Sequence, residues 1–304
     1  MNSIFEKIIS QVGQVIYGKD EEIKLCLTCL FARGHLLIED IPGIGKTTLA
    51  KTLSRCLGLN FRRIQCTNDM LPGDILGISV FDLQSGSFTF HPGPVFTNIL
   101  LSDEINRSTP KTQSALLESM EEQQVTVEGY SRTLDKPFFV IATQNPLEQA
   151  GTFPLPESQL DRFLMRISIG YPDRKAEMSL LKTGDTSKAA DSFEPLMDTE
   201  RVLRIQGMVD NVFISDALIE YVQDILVFTR RSPSFYTGLS PRAGLSIIRA
   251  AKSWAFIHGR DYGLPEDIKK VIIPVAAHRL RASSGYKELS AAELWELLKE
   301  VHVP

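Results

Sequence analysis

The stretch "IEDIPGIGKTT" (38–48) lies between the apolar run "HLLI", which starts at His35, and a second one, "LAKTL", which starts at Leu49. It answers to the pattern G-x-x-x-x-G-K-[ST] at every place but the first, where Asp40 stands. The residue types have physical reasons. Glycines at 43 and 45 let backbone N–H groups turn inward around phosphate oxygens, and a following helix presents its positive end to the same anion. Lys46 adds a point charge, and the Thr47 hydroxyl reaches Mg²⁺. Asp40, Ile41, Pro42, Gly43, Ile44, Gly45, Lys46, Thr47 and Thr48 are therefore the candidate phosphate-binding residues. Asp40 is expected at the strand end, where its side chain need not face phosphate.

Working outward, the first ~175 residues alternate short apolar runs with helical patterns. "HLLIED" (35–40), "FRRIQC" (61–66), "NILLSDE" (98–104) and "FFVIATQ" (138–144) resemble buried parallel strands, whose two faces are both covered. Helices are expected at 46–57 and 109–122, the second opened by Thr109 and Pro110. The alternation predicts an α/β fold with a parallel sheet. Residues 183–198 are polar and aperiodic and are expected to form a surface linker. Beyond them the pattern is helical, with starts at Ser215, Ser240-Pro241 and Pro265. The expected organisation is a nucleotide-binding core over 1–182, the linker, and a small all-helical domain over 199–304.

A phosphate loop needs an acid for the metal and a base for water. "ILLSDE" supplies both, with Asp103 as the metal acid and Glu104 to orient the attacking water. Asn145, at the tip of the next apolar run, has an amide suited to positioning water or the γ-phosphate.

Bulk properties limit the alternatives. The 304 residues carry 33 Lys and Arg against 37 Asp and Glu, a net charge of −4. There is thus no basic excess of the kind a duplex-binding surface shows. No apolar run approaches the ~18 residues that span a bilayer. The start, "MNSIFEKIIS", is amphipathic and unlike a secretory signal, so a cytoplasmic protein is expected. Cys26, Cys29, Cys56 and Cys66 include one Cys-x-x-Cys but no second pair, which fits small buried residues of a reduced protein.

Over nearly its whole length the chain resembles the AAA+ ATPases, and within them the MoxR family. The resemblance is carried by "GPVFTNILLSDEINRSTPKTQSALLESMEEQQVTV" (93–127), "IATQNPLEQAGTFPLPESQLDRFLM" (141–165) and "SPRAGLSIIRAAKSWAFIHGRDYGLPEDI" (240–268). It implies a P-loop NTPase core followed by a helical lid, with ATP and Mg²⁺ bound between neighbours in a homo-oligomeric, hexameric ring. It also implies chaperone-like action on client proteins, including ones with a von Willebrand factor A domain. In its terms Lys46 and Thr47 match Walker A, Asp103 and Glu104 match Walker B, and Asn145 matches sensor 1. Arg162, in "QLDRF", matches the arginine finger given to the next subunit, with Arg166 four residues on as the alternative. Arg242, in "SPR", matches sensor 2. Ile16, Tyr17 and Gly18 match the segment that lies against adenine.

Two inserts, about 73–94 and 124–140, read as hairpins with turns near Ser85-Gly86 and Glu128-Gly129. The resemblance turns them toward a ring pore. Three other functions compete with this reading. A nucleic-acid motor shares the "DRF" arginine, but the acidic balance argues against it. A GTPase switch would use Asp74-Ile-Leu-Gly77, yet no Asn-Lys-x-Asp guanine reader occurs. A nucleotide-binding scaffold without turnover would not need both Glu104 and Arg162.

Overall fold

Five parallel strands form the central sheet of the computed structural model, which describes residues 2–84, 86–146, 150–184 and 193–303. The strands are β1 (Leu36–Glu39), β2 (Phe61–Gln65), β5 (Ile99–Asp103), β8 (Phe139–Gln144) and β9 (Met165–Ile167), in the spatial order β2-β5-β8-β1-β9. Hairpin strands β3 (Gly77–Asp82) and β4 (Ser87–Pro92), and β6 (Gln124–Val127) and β7 (Tyr130–Thr133), form two separate two-stranded sheets. The first helices are α1 (Asn2–Gly13), α2 (Asp20–Phe31), α3 (Lys46–Cys56), α4 (Pro72–Leu76), α5 (Pro110–Glu122), α6 (Glu157–Leu160) and α7 (Arg174–Thr183). Then come α8 (Thr199–Asp210), α9 (Asp216–Arg231), α10 (Pro241–Ile257), α11 (Pro265–Ala276) and α12 (Ala291–Leu298).

Side chains alternate across a strand, so each central strand feeds two cores. Leu36, Ile38, Ile99, Leu101, Phe139 and Ile141 face one cluster, which continues through α1, α2 and α3 into the C-terminal helices. Leu37, Leu100, Val140 and Ala142 face the other, which is closed by α5 and its neighbours. Strands β1, β5 and β8 are buried almost throughout, because each has a strand on both sides. The run 61–66 behaves differently. Within the edge strand β2 only Ile64 is buried, with Cys66 buried just beyond it, and Arg62, Arg63 and Gln65 are exposed.

The caps expected at Thr109, Ser215 and Ser240 form: each side chain accepts a hydrogen bond from the backbone N–H three residues on. The first insert begins with the short helix α4 rather than with strand, and only 77–92 pairs. Ser85 lies outside the described residues, and Gly86 has φ +63°. In the second insert Glu128 and Gly129 both have positive φ, the pair that a two-residue hairpin turn requires. The second hairpin ends at Thr133, and residues 139–140 already belong to the central sheet. Of the expected linker, residues 185–192 lie outside the described residues. Residues 193–198 are fastened to the core: Met197 is buried, and Leu196 N–H donates to the Cys56 carbonyl at 2.8 Å. The apolar residues inside that polar stretch explain the attachment. All four cysteines are free and buried.

Candidate nucleotide site

The phosphate loop turns at Gly43 (φ +84°) and Gly45 (φ +91°), a backbone region that side-chain-bearing residues rarely adopt. A Cβ at Gly43 would meet nothing within 4 Å, so the glycine serves backbone shape and leaves the cradle open. Helix α3 starts at Lys46, immediately after the loop. Lys46 Nζ donates to the carbonyls of Asp40 (2.6 Å) and Ile41 (3.1 Å), which holds the ammonium across the loop. Burial lowers its pKa, opposed by Asp40, Asp103 and Glu104. The Asp40 side chain turns away from the cradle. It accepts from Ile41 N–H at 2.9 Å, Ser168 Oγ at 2.8 Å and Gly170 N–H at 2.6 Å, and so ties β1 to the segment after β9.

Asp103 ends β5 with Oδ2 3.5 Å from Thr47 Oγ1. Its Oδ1 accepts from the Thr143 hydroxyl at 2.6 Å, and the same hydroxyl oxygen accepts from Glu104 N–H at 2.9 Å. Glu104 has φ +56° and ψ +51°. A left-handed conformation at a non-glycine residue costs ~1–3 kcal/mol and persists where the surroundings enforce it. Here Thr143 does so. The Glu104 carboxylate accepts from Gln65 Nε2 at 2.9 Å and lies 2.9 Å from Arg107 Nε. Asn145 follows β8 directly and is buried.

Beside the loop a cavity of about 470 Å³ is lined by Ile16, Tyr17, Gly45, Ile169, Pro172 and Leu180, among others. Its size is that of a small-molecule site. Ile16 and Tyr17 line it, together with Pro42, Gly43, Ile44 and Thr48. Gly18 (φ +69°) makes the turn that follows them.

A nucleotide with its divalent cation fits this donor set. Among the described residues no group of three or more His, Cys, Asp or Glu gathers to hold a metal. A cation at Thr47 and Asp103 would therefore take its other oxygens from phosphate and water, as Mg²⁺ commonly does. Among the described residues no helix is long and apolar enough to cross a membrane.

The arginines stand elsewhere. Helix α6 ends at Leu160, so Arg162 and Arg166 do not share a helix. Arg166 lies in β9 with its side chain only 11% exposed; it pairs with Glu39 (2.6 Å) and Glu288 (2.7 Å) and donates to the Ala277 carbonyl. Arg162, 30% exposed, lies 3.3 Å from Glu121, and Arg242 pairs with the other oxygen of Glu121 at 2.7 Å. Arg162, Arg242, Arg249 and Arg279 line one cavity of about 260 Å³, and no residue of the phosphate loop does. Thus Arg242 is gathered with Arg162, not with Lys46. Arg279 is buried there and holds the Arg162 turn, pairing with Asp161 at 2.6 Å and donating to the Phe163 carbonyl at 2.7 Å.

Several contributors were not legible in the sequence: Thr143, Gln65, Arg63, Arg107, Glu121 and the 169–181 wall of the cavity. Arg63 and Gln65 carried a faint signal, two polar residues at alternate positions flanking buried Ile64. Knowing that β2 lies beside β5 is what gives that signal meaning.

The comparisons with known proteins agree with this fold. The family described as "ATPase family associated with various cellular activities (AAA)" matches residues 35–165, and the AAA lid domain matches residues 227–295. The chain is 40% identical to Chaperone MoxR1 of Mycobacterium tuberculosis over 90% of this chain and 75% of that one. It is 31% identical to Protein MoxR of Methylorubrum extorquens over 96% of this chain and 91% of that one. A solved structure of a presumed ATPase from Cytophaga hutchinsonii superposes with a TM-score of 0.87 at 36% identity, covering 99% of this chain and 94% of its own. A shared core, a shared lid and full-length likeness lead to one assignment: the chain belongs to the MoxR family of AAA+ ATPases.

Proposed function

We propose that the chain hydrolyses ATP to ADP and phosphate at a site shared between two copies in a ring, and uses the cycle to remodel or activate client proteins. Lys46 and the loop amides bind the phosphates, and Ile16 to Gly18 lie against the base. Thr47 and Asp103 hold the cation, which when bound screens the phosphate charge. Glu104 takes the proton of the attacking water at its carboxylate, and Asn145 orients that water. The charge that develops on the transferred phosphoryl group calls for fixed cations, and arginine is permanently charged. Arg162 fills that role for the next copy, with Arg242 beside it. Arg166 is committed to Glu39 and Glu288, which favours Arg162.

The observation that carries the reading is the split between the two halves. One chain has a phosphate loop and acid pair, and its Arg162 and Arg242 face a different cavity. The name of Chaperone MoxR1 supports chaperone-like action. Client contact falls to the hairpins. Phe81, Leu83, Phe88 and Tyr130 are exposed there, and the Arg132 guanidinium lies 3.9 Å over the Phe90 ring, joining the two hairpins.

Mixing two inactive variants tests the shared site. Arg162→Ala keeps its base and lacks a finger, and is expected to bind ATP but hydrolyse it ~10³-fold more slowly. Glu104→Gln keeps its finger and lacks a base. Once subunit exchange is shown by sizing, the mixture should regain part of the wild-type rate. A mixture that exchanges subunits and stays inactive excludes Arg162 as a residue acting across the interface.

A further inference from the structure

We propose that Arg63 is the resident counter-ion of Asp103, a positioning residue that makes divalent-cation binding depend on nucleotide phosphates. This rests on the reading of Asp103 as the metal acid. Strands β2 and β5 run parallel, with Gln65 level with Asp103 and Arg63 level with Leu101. From there the Arg63 side chain reaches along the sheet edge. Its Nη2 and Nε donate to Asp103 Oδ2 at 2.7 and 3.2 Å. That oxygen is also the one 3.5 Å from Thr47 Oγ1. The other oxygen, Oδ1, is committed to Thr143. Asp103 therefore has one oxygen fixed by the protein, and the oxygen that faces Thr47 carries a permanent cation.

The guanidinium is fixed in direction as well. Nη2 also donates to Gln65 Oε1 at 2.8 Å, and Gln65 in turn donates to Glu104. One arginine thus spans both acids of the site. Mg²⁺ loses water reluctantly, and one carboxylate with one hydroxyl attracts it weakly. A guanidinium on the same oxygen cancels most of that attraction. Phosphates supply the missing negative charge, so cation and nucleotide arrive together. The Arg63 side chain is 46% exposed and Asp103 only 12%, so the arginine can yield to solvent while the acid stays in place. A half-exposed ion pair is cheap to open, because solvent takes over both charges.

The test is Mn²⁺ affinity of the ADP-bound protein, read from the electron paramagnetic resonance signal of free Mn²⁺. Arg63→Met and Arg63→Gln should each bind Mn²⁺ about fivefold more tightly than wild type, because the competing charge is gone. Arg63→Lys should stay within about twofold, because a charge remains. ADP affinity in EDTA should not rise in either neutral variant. Asp103→Asn is the control and should weaken Mn²⁺ binding. If the neutral variants bind Mn²⁺ equally or more weakly while Asp103→Asn weakens it, the role of Arg63 is overturned and that of Asp103 stands. If they tighten ADP equally with and without Mn²⁺, Arg63 acts on the nucleotide pocket and the inference fails. If Asp103→Asn leaves Mn²⁺ affinity unchanged, the metal reading of Asp103 falls and takes this inference with it.

Discussion

The phosphate-loop end and the arginine end both gather charged side chains, but by different means. At the loop end, strands β1, β5 and β8 deliver Asp40, Asp103 and Asn145 from adjacent tips of one buried sheet. Lys46 is held there by two backbone carbonyls and Asp103 by a threonine hydroxyl and an arginine. At the arginine end, Arg162 follows a one-turn helix, Arg242 opens α10, and the two meet on one carboxylate of α5. The first geometry is made by adjacent strand tips, with the carbonyls and side chains fixed among them. The second is made by half-exposed side chains around one shared carboxylate. The difference fits the proposed division, in which one end binds the nucleotide and the other completes the site of a neighbour.

The largest effect should separate the two ends directly. Lys46→Ala removes about two charge-assisted hydrogen bonds to phosphate, each ~1.5–3 kcal/mol, so ATP affinity should fall by about a thousandfold. Arg242→Ala should leave ATP affinity within about twofold, measured by calorimetry at concentrations below assembly. Equal losses in the two variants would mean that Arg242 serves its own chain's nucleotide, and the comparison would break.

The loop end was legible in the sequence and the arginine end only partly so, for a physical reason. A phosphate loop is local: glycines, lysine and threonine lie within a few residues, and backbone conformation does the work. Asp103 and Glu104 were legible because a buried strand that ends in two acids is a strong pattern. Arg162 and Arg242 were legible as residues, through resemblance, but their meeting on Glu121 was not. Glu121 looks like any polar residue near a helix end, and its role depends on where α10 docks. Strand β9 was missed because three residues, "MRI", are too few to show a period. The 61–66 run was read as buried, and its exposed side shows that an edge position cannot be told from one strand alone.

Acid should act on the arginine end first. His35 is buried beneath it: Nδ1 accepts from Val140 N–H at 3.0 Å, and Nε2 faces the Met120 carbonyl at 3.2 Å. Burial pushes its pKa from 6.5 to about 4. His278, whose Nε2 lies 3.0 Å from the Phe163 carbonyl, is pushed well below its usual range, again by burial. The unfolded chain takes a proton on His35 below about pH 6.5, and the folded chain does not until about pH 4. Stability is thus fully present above pH 6.5 and falls as the pH drops toward 4, by about 3 kcal/mol from His35 alone. Urea unfolding at pH 7, 5.5 and 4 measures the slope. Hydrogen exchange at pH 5 should show amides near 163–165 losing protection before those of α3. Uniform loss across both ends would remove this difference between them.

The smallest effect concerns Glu121, the carboxylate the two arginines share. Its pairs are 30–50% exposed, at 35% for Glu121 itself, so each contributes at most about 1 kcal/mol to stability. Glu121→Gln should therefore leave the urea midpoint nearly unchanged. It should change assembly instead. With the carboxylate gone, Arg162 and Arg242 lose a competitor for anionic phosphate, and their side chains are freer to meet the neighbour's nucleotide. The protein concentration giving half-maximal ATPase rate should fall by about fivefold, or ~1 kcal/mol. The same titration in higher salt should shrink the gain, since exposed charges are screened. Arg162→Ala combined with Glu121→Gln should keep only the part of the gain that comes from Arg242, which still pairs with the carboxylate when Arg162 is absent. If Glu121→Gln raises the half-maximal concentration instead, the carboxylate is a support that aims the arginines, and the arginine end is organised in advance much as the loop end is.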